Sequence, residues 1–331
     1  MKIYIHPNVF NSEPAWKNLD RLFILIEDRR YEWLLKIESD LDDFANSTYL
    51  DAQPHYKYDI YSELAKGTFS KNGMEGNNQN ERVINIITTK DLNFYLKFLE
   101  QPLYIILEHI ENDKHFLDTL FRCFKNASKK INKSIEKKWI SFLHAGGKDG
   151  VIPNIKNKLG EIPPRIFVLL DSDRKFRDEP LSRGLSQALE FCDSCNTANN
   201  IQYHVTHKRE IENYLPDSVL LALTDTEQNI VYGAYSQLSP EQKDFYDLEK
   251  GFDDKSSAIG QEALFEGIEE QVFSNLRKGF ALNKKFDTKK VFPRLFTNEQ
   301  HVSQNTLMSR CSHQPQPDEL KELLESIKIL L

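Results

Sequence analysis

Between residues 165 and 180 the chain reads RIFVLLDSDRKFRDEP: an apolar run, Ile166 to Leu170, ends in aspartates at alternate positions, Asp171 and Asp173. A continuous apolar run with β-branched and aromatic members predicts a strand covered on both faces, as in a parallel sheet. Alternate strand residues share a face, which would put both carboxylates on one side, about 6 to 7 Å apart along the chain. Like charges that close repel unless a cation lies between them, and hard divalent ions such as Mg²⁺ take carboxylate oxygens. The chemistry suggested is a metal site beyond the carboxyl end of a strand, where open α/β sheets place ligands. An acid-rich turn following a strand by chance would look the same, so the neighbouring elements must decide.

From about residue 83 to 215 those elements alternate. RVINIITT reads as a strand and KDLNFYLKFLEQ as a helix ended by Pro102. LYIILE (103–108) is a strand, and NDKHFLDTLFRCFKNASKKINKSIEK a helix opened by Asn112 or Asp113 as cap. WISFLHA is the next strand, followed by the turn GGKDG and the helix VIPNIKNKLG; after RIFVLL come the helix LSRGLSQALEFCDSCN and the strand IQYHVTH. Repeated strand, helix, strand order predicts a parallel sheet with crossover helices. Each strand end then delivers polar groups to one rim. The first gives Glu108, with Glu111 and Asp113 behind it; the second His144, Gly146, Gly147 and Lys148; the third Asp171 and Asp173; the fourth Lys208, Glu210 and Glu212 in HKREIENYLP. Acids placed by chance would scatter over both rims and the helix surfaces.

These motifs, in this order, resemble the Toprim domain as found in nucleases of the overcoming-lysogenization-defect (OLD) class and related bacterial phage-defence proteins. Glu108, Gly146 with Gly147, Asp171 with Asp173, and Glu212 fall where that pattern has a glutamate, a glycine turn, a DxD and an acidic run; the likeness covers residues 101–216. It departs in having His109 where the family has glycine, and Asp113 five residues after Glu108 rather than four. OLD-class nucleases also carry an ATPase domain, whereas this sequence has no GxxxxGK[ST] loop, so an ATP-driven step would need a separate ATPase or sensor partner.

The resemblance implies metal-dependent cleavage of nucleic-acid phosphodiesters with Mg²⁺ or Mn²⁺, in an effector of antiviral defence. Glu108, Asp171 and Asp173 would hold the ions, with Glu212 and Asp113 completing a second site. Lys208 would offset charge on the phosphate, and Gly146 and Gly147 would let the backbone approach it. Substrate grip would come from basic runs: Lys125, Lys129, Lys133 and Lys137 every fourth residue, and Lys284, Lys285 and Lys289 among Phe280, Phe286 and Phe292. Such runs also occur as plain solvated faces with the aromatics turned inward. A partner-gated or degenerate Toprim interaction module is the alternative, encouraged by His109. A DxD glycosyltransferase or phosphatase would need neither Glu108 nor Glu212.

Composition sets the frame. The 331 residues can form two or three domains, and 43 basic against 50 acidic residues argue against a protein that coats nucleic acid nonspecifically. No apolar run approaches a membrane span, and MKIYIHPNVF lacks a secretory apolar stretch, so a cytoplasmic protein is expected. Four cysteines are too few for a disulfide framework. Cys192 and Cys195 precede His204 and His207, but the spacing is short for zinc and an odd separation on a strand would face the histidines apart; the cysteines fit the inner face of a helix better. The expected architecture is α/β: a Toprim-like parallel sheet flanked by helices at 101–216, an N-terminal α+β region at 1–100 and a mainly helical region at 217–331. The first region should hold an acidic helical stretch, LDRLFILIEDRRYEWLLKIESDLDDF, and a mobile loop at 66–81. Self-association is left open.

Overall fold

In the computed structural model, which describes residues 1–74, 82–196, 200–222, 226–253, 255–282 and 288–331, seven strands form two parallel sheets. They are β1 (Lys2–Ile5), β2 (Glu32–Leu34), β3 (Val83–Ile86), β4 (Leu103–Leu107), β5 (Ile140–His144), β6 (Arg165–Leu170) and β7 (Ile201–Val205). The first sheet has the order β2-β1-β3 and the second β5-β4-β6-β7. RVINIITT is therefore a strand, but not of the central sheet: β3 pairs with β1, Lys2 opposite Val83. Alternation of elements predicts crossovers without saying which sheet a strand joins.

The apolar run of β6 is buried at every residue, as a doubly covered strand requires. Its pleat divides the core. Phe167 and Leu169, with Leu103, Ile105 and Leu107 of β4, meet Phe116, Leu117 and Leu120 of the helix Ile110–Cys123. Ile166, Val168 and Leu170 meet Val151 and Ile155 of the helix Val151–Lys158 and Leu185, Ala188 and Cys192 of the helix Arg183–Cys195. Cys192 is thus an inner-face residue. The residues after Pro216 are mainly helical, and they share the first of these cores: Leu320, Leu323, Leu324 and Ile327 of the helix Glu319–Leu330 join it.

Four local expectations change. The segment 112–137 is two helices, Ile110–Cys123 and Lys125–Glu136, because buried Phe124 leaves helical geometry (φ −97°, ψ 56°); the first helix is capped by His109 rather than Asn112 or Asp113. The acidic stretch is helix Trp16–Glu27, then β2, then helix Glu38–Ala45, with Arg29 at φ +57° marking the first break. Residues 66–74 belong to the helix His55–Met74, anchored by buried Tyr61 and Ala65; the rest of that supposed loop lies outside the described residues. His204 and His207 do not face apart, since β7 stops at Val205; their rings lie 5.8 Å apart and both meet the buried carboxylate of Glu319. No helix among the described residues is long and apolar enough to cross a membrane.

One buried side chain fastens the parts together. The Arg165 guanidinium donates to the carbonyls of Leu330 (3.1 Å), Leu99 (3.5 Å) and Gln101, and lies over the rings of Tyr31 and Phe98. A carbonyl stripped of its donor in a dry interior costs about 1 to 3 kcal/mol. Arg165→Met should therefore lower the unfolding free energy by about 2 to 4 kcal/mol, seen as an earlier urea midpoint; an unchanged midpoint would mean that water replaces the guanidinium freely.

Candidate functional site

Strand order in the second sheet reverses between β4 and β6: the connection from β4 leads to β5 on one side, and the next passes back to β6 on the other. Such a switch point opens a crevice beyond the carboxyl ends of its two strands. A cavity of about 710 Å³ lies there. Glu108, immediately after β4, and Asp171 and Asp173, immediately after β6, line it together with Asp113, Glu210 and Glu212.

Each acid is held by local backbone. Asp171 accepts the Ile211 N–H (2.9 Å), tying the end of β6 to the segment after β7. Asp173 is not on a strand, so no shared pleat aligns it with Asp171; it sits at φ +53° and donates its own N–H to Arg209 O (2.9 Å). That left-handed conformation is one aspartate tolerates better than most residues. Asp113 accepts the His109 N–H (2.9 Å), so the first turn of the helix folds it back toward Glu108 despite its five-residue separation. It thus serves both the helix start and the cavity. Gly146 and Gly147 lie at φ +73° and +101°, where a side chain is strained, and Gly147 N–H donates to Glu108 O (3.2 Å). Their turn carries Lys148 into the cluster, where its ammonium binds the Asp173 carboxylate.

The electrostatics follow from crowding. Burial, then the charges of Glu212, Asp113, Glu210 and Glu108, push Asp171 well above the usual carboxylate range. Burial raises Asp113 to about 7, with Glu108 and Glu212 adding to it. Glu212 is raised to about 7 by burial and by Glu249 and Asp247, and Glu210 to about 8 by burial and by Asp247. Burial also raises Glu108, against the pull of Lys148, and its Oε2 is buried without a hydrogen-bond partner. The donor set is hard oxygen throughout, which fits Mg²⁺ or Mn²⁺. As the side chains stand, however, no three His, Cys, Asp or Glu among the described residues are gathered tightly enough to hold a metal ion.

Lys208 is not in the cavity. It is fully buried, its ammonium bound to Asp244 and donating to Arg310 O (2.8 Å), and burial with the nearby Arg310 lowers its pKa to about 8. A carboxylate from the helix Pro240–Phe245 claims it, which no spacing around HKREIENYLP announces. The basic stripe is divided too: Lys125 and Lys129 are exposed, but Lys133 donates to Asp28 O (2.6 Å) and Lys137 pairs with the Asp28 carboxylate (3.1 Å), fastening helix Lys125–Glu136 to the N-terminal part. Lys284 and Lys285 lie outside the described residues, as does the side chain of Lys289 on the helix Thr288–Leu295; Phe280 and Phe292 are buried and turn inward. Sequence reasoning gave no role to Lys148 or Glu210, although both stand in motifs it singled out. Glu249, also lining the cavity, comes from the helical third and carried no sequence signal.

No family model matches the chain, and no curated protein and no solved structure matches it. Fold and site define a parallel α/β protein with an acid-lined cavity at its switch point.

Unfolded carboxyls release their protons near pH 4, whereas Asp113 and Glu212 keep theirs to about 7 and Glu210 to about 8. Between those values the folded chain binds more protons than the unfolded one, so this stabilisation is full in acid and declines as pH rises toward 8. The melting midpoint of the wild type should fall between about pH 5 and 7 more steeply than that of Asp113→Asn/Glu212→Gln, and excess Mg²⁺ or Mn²⁺ should restore it. Equal slopes would rule out the cluster as the source. Lys208→Met, by contrast, should cost about 3 kcal/mol or more in urea unfolding, as for a broken buried pair, and leave metal affinity of the folded protein unchanged.

Proposed function

We propose that the chain is a metal-dependent nuclease of Toprim type that hydrolyses nucleic-acid phosphodiester bonds. The observation that carries this reading is the convergence of Glu108, Asp171, Asp173, Glu212 and Asp113, from the segments after three different strands, on one switch-point cavity. Glu108, Asp171 and Asp173 would hold one ion, and Glu212 with Asp113 a second. The buried, unpartnered Oε2 of Glu108 supports this, because a cation would satisfy it where no protein donor does. When bound, such ions neutralise phosphate charge and make water a nucleophile near neutral pH. The chain's own residues position the rest: Ile211 N–H fixes Asp171, His109 N–H fixes Asp113, and Lys148, seated on Asp173, takes the charge-offsetting role expected of Lys208.

A gated resting state is favoured by a separate observation. The acids are not gathered to ligand distance, and Asp113, Glu210 and Glu212 retain protons near neutrality. Loading must expel those protons and draw the carboxylates together, a step at which a partner ATPase or sensor would act. The role in phage defence rests on the sequence resemblance.

The test is cleavage of plasmid DNA, single-stranded DNA and total tRNA with Mg²⁺ or Mn²⁺, wild type beside Asp171→Asn/Asp173→Asn. Residues that merely orient metal ligands are worth roughly 10- to 100-fold, so losing two ligands should cost more than about a hundredfold. Cutting that survives in the double variant would discard the reading. If neither protein cuts, metal binding measured by titration separates a gated site, which binds, from a degenerate one, which does not.

A further inference from the structure

The loop after β6 has two sides. Asp171 and Asp173 face the acidic cavity, while the next residue, Arg174, lines a separate cavity of about 280 Å³ with Arg177, His207, Phe245 and Gln314. Asp173 at φ +53° and the bond from Arg174 N–H to Ser172 Oγ (3.2 Å) turn the chain at this ridge.

Two arginines and two aspartates line the second cavity, but they are not paired with one another. Asp244 is already committed to Lys208, Arg310 (3.4 Å) and His313 (2.7 Å), and Gln314 donates to it as well (3.4 Å). Arg177 pairs with Glu241 (3.2 Å), and His207 is held by Glu319 through its N–H (2.8 Å) and its ring (3.5 Å). The Arg174 guanidinium is half-buried, bonds no carboxylate among the described residues, and has a buried Nε without an acceptor. Asp178 also lines the cavity, but it is exposed and pairs with no cation among the described residues. An unspent guanidinium in a concave site is a fork for a phosphate, which accepts two parallel N–H bonds.

We infer that the Arg174 cavity is a phosphate subsite that holds a backbone phosphate of the substrate strand beside the bond being cut. The assignment to a strand rests on the nuclease reading; the anion site itself does not. One loop would then present carboxylates to the scissile phosphate on one side and a guanidinium to a neighbouring phosphate on the other. Burial holds His207 below its ordinary range against the pull of Glu319, with His204 and then Arg174 adding to the lowering, so an anion seated on Arg174 would raise it.

Two measurements on the full chain test this. The first is titration with inorganic phosphate at constant ionic strength, followed by the His207 imidazole NMR signal in wild type, Arg174→Gln and Arg174→Lys. The signal should move in wild type, move less in Arg174→Lys and stay in Arg174→Gln; a wild-type signal that does not move overturns the subsite. The second is the salt dependence of binding to a short single-stranded oligonucleotide, with Ca²⁺ replacing Mg²⁺. Arg174→Gln should reduce the slope of log affinity against log salt by about 0.7, one phosphate contact, and Arg174→Lys should keep it. A phosphate response with an unchanged slope overturns the strand assignment. Should wild type bind no single-stranded oligonucleotide, the strand assignment is lost while the phosphate titration still decides the cavity.

Discussion

Carboxylates crowded beyond the ends of two adjacent parallel strands repel one another, and the surrounding structure is organised to hold them there. Without a cation the acids keep protons or stand apart, and both responses are present: raised pKa values across the cluster and side chains not drawn to ligand distance. The fold supplies rigid backbone for each acid. β4 and β6 are central strands of their sheet, β6 is buried on both faces, and short backbone bonds pin Asp113 and Asp171.

The helical third of the chain takes part in this. Its terminal helix covers β6 and β7, Glu319 gathers Tyr214 (2.5 Å), His204 and His207, and Asp244 claims Lys208. Glu249 reaches the cavity itself. The segment after β7, with Glu210 and Glu212, is therefore clamped between the sheet and the helical region, and the acids it carries inherit the position of both.

What could be read from the sequence was whatever local pattern dictates. Five apolar residues before Asp171 specify a buried strand, and strand, helix, strand alternation puts Glu108, Asp171 and Glu212 on one rim. Contacts between distant segments were not legible. A lysine near a strand end goes to solvent, to a substrate or to the interior according to which carboxylate meets it, and Asp244 lies 36 residues beyond Lys208. Residues 66–74 look like a loop by their glycine and polar content, yet a helix already anchored by Tyr61 and Ala65 carries through them. β3 was legible as a strand outside the 101–216 core, but its pairing was not, because its partner β1 is Lys2–Ile5, far from it in sequence.

The cover supplied by the helix Glu319–Leu330 also bears on synthesis. A chain emerging from the ribosome can complete the β2-β1-β3 sheet early, since all its strands precede residue 87. One face of β6 and β7, however, is only partly covered until Leu320, Leu323, Leu324 and Ile327 have been made. Vectorial translation thus leaves the cover over β6 and β7 incomplete until the helix Glu319–Leu330 has emerged.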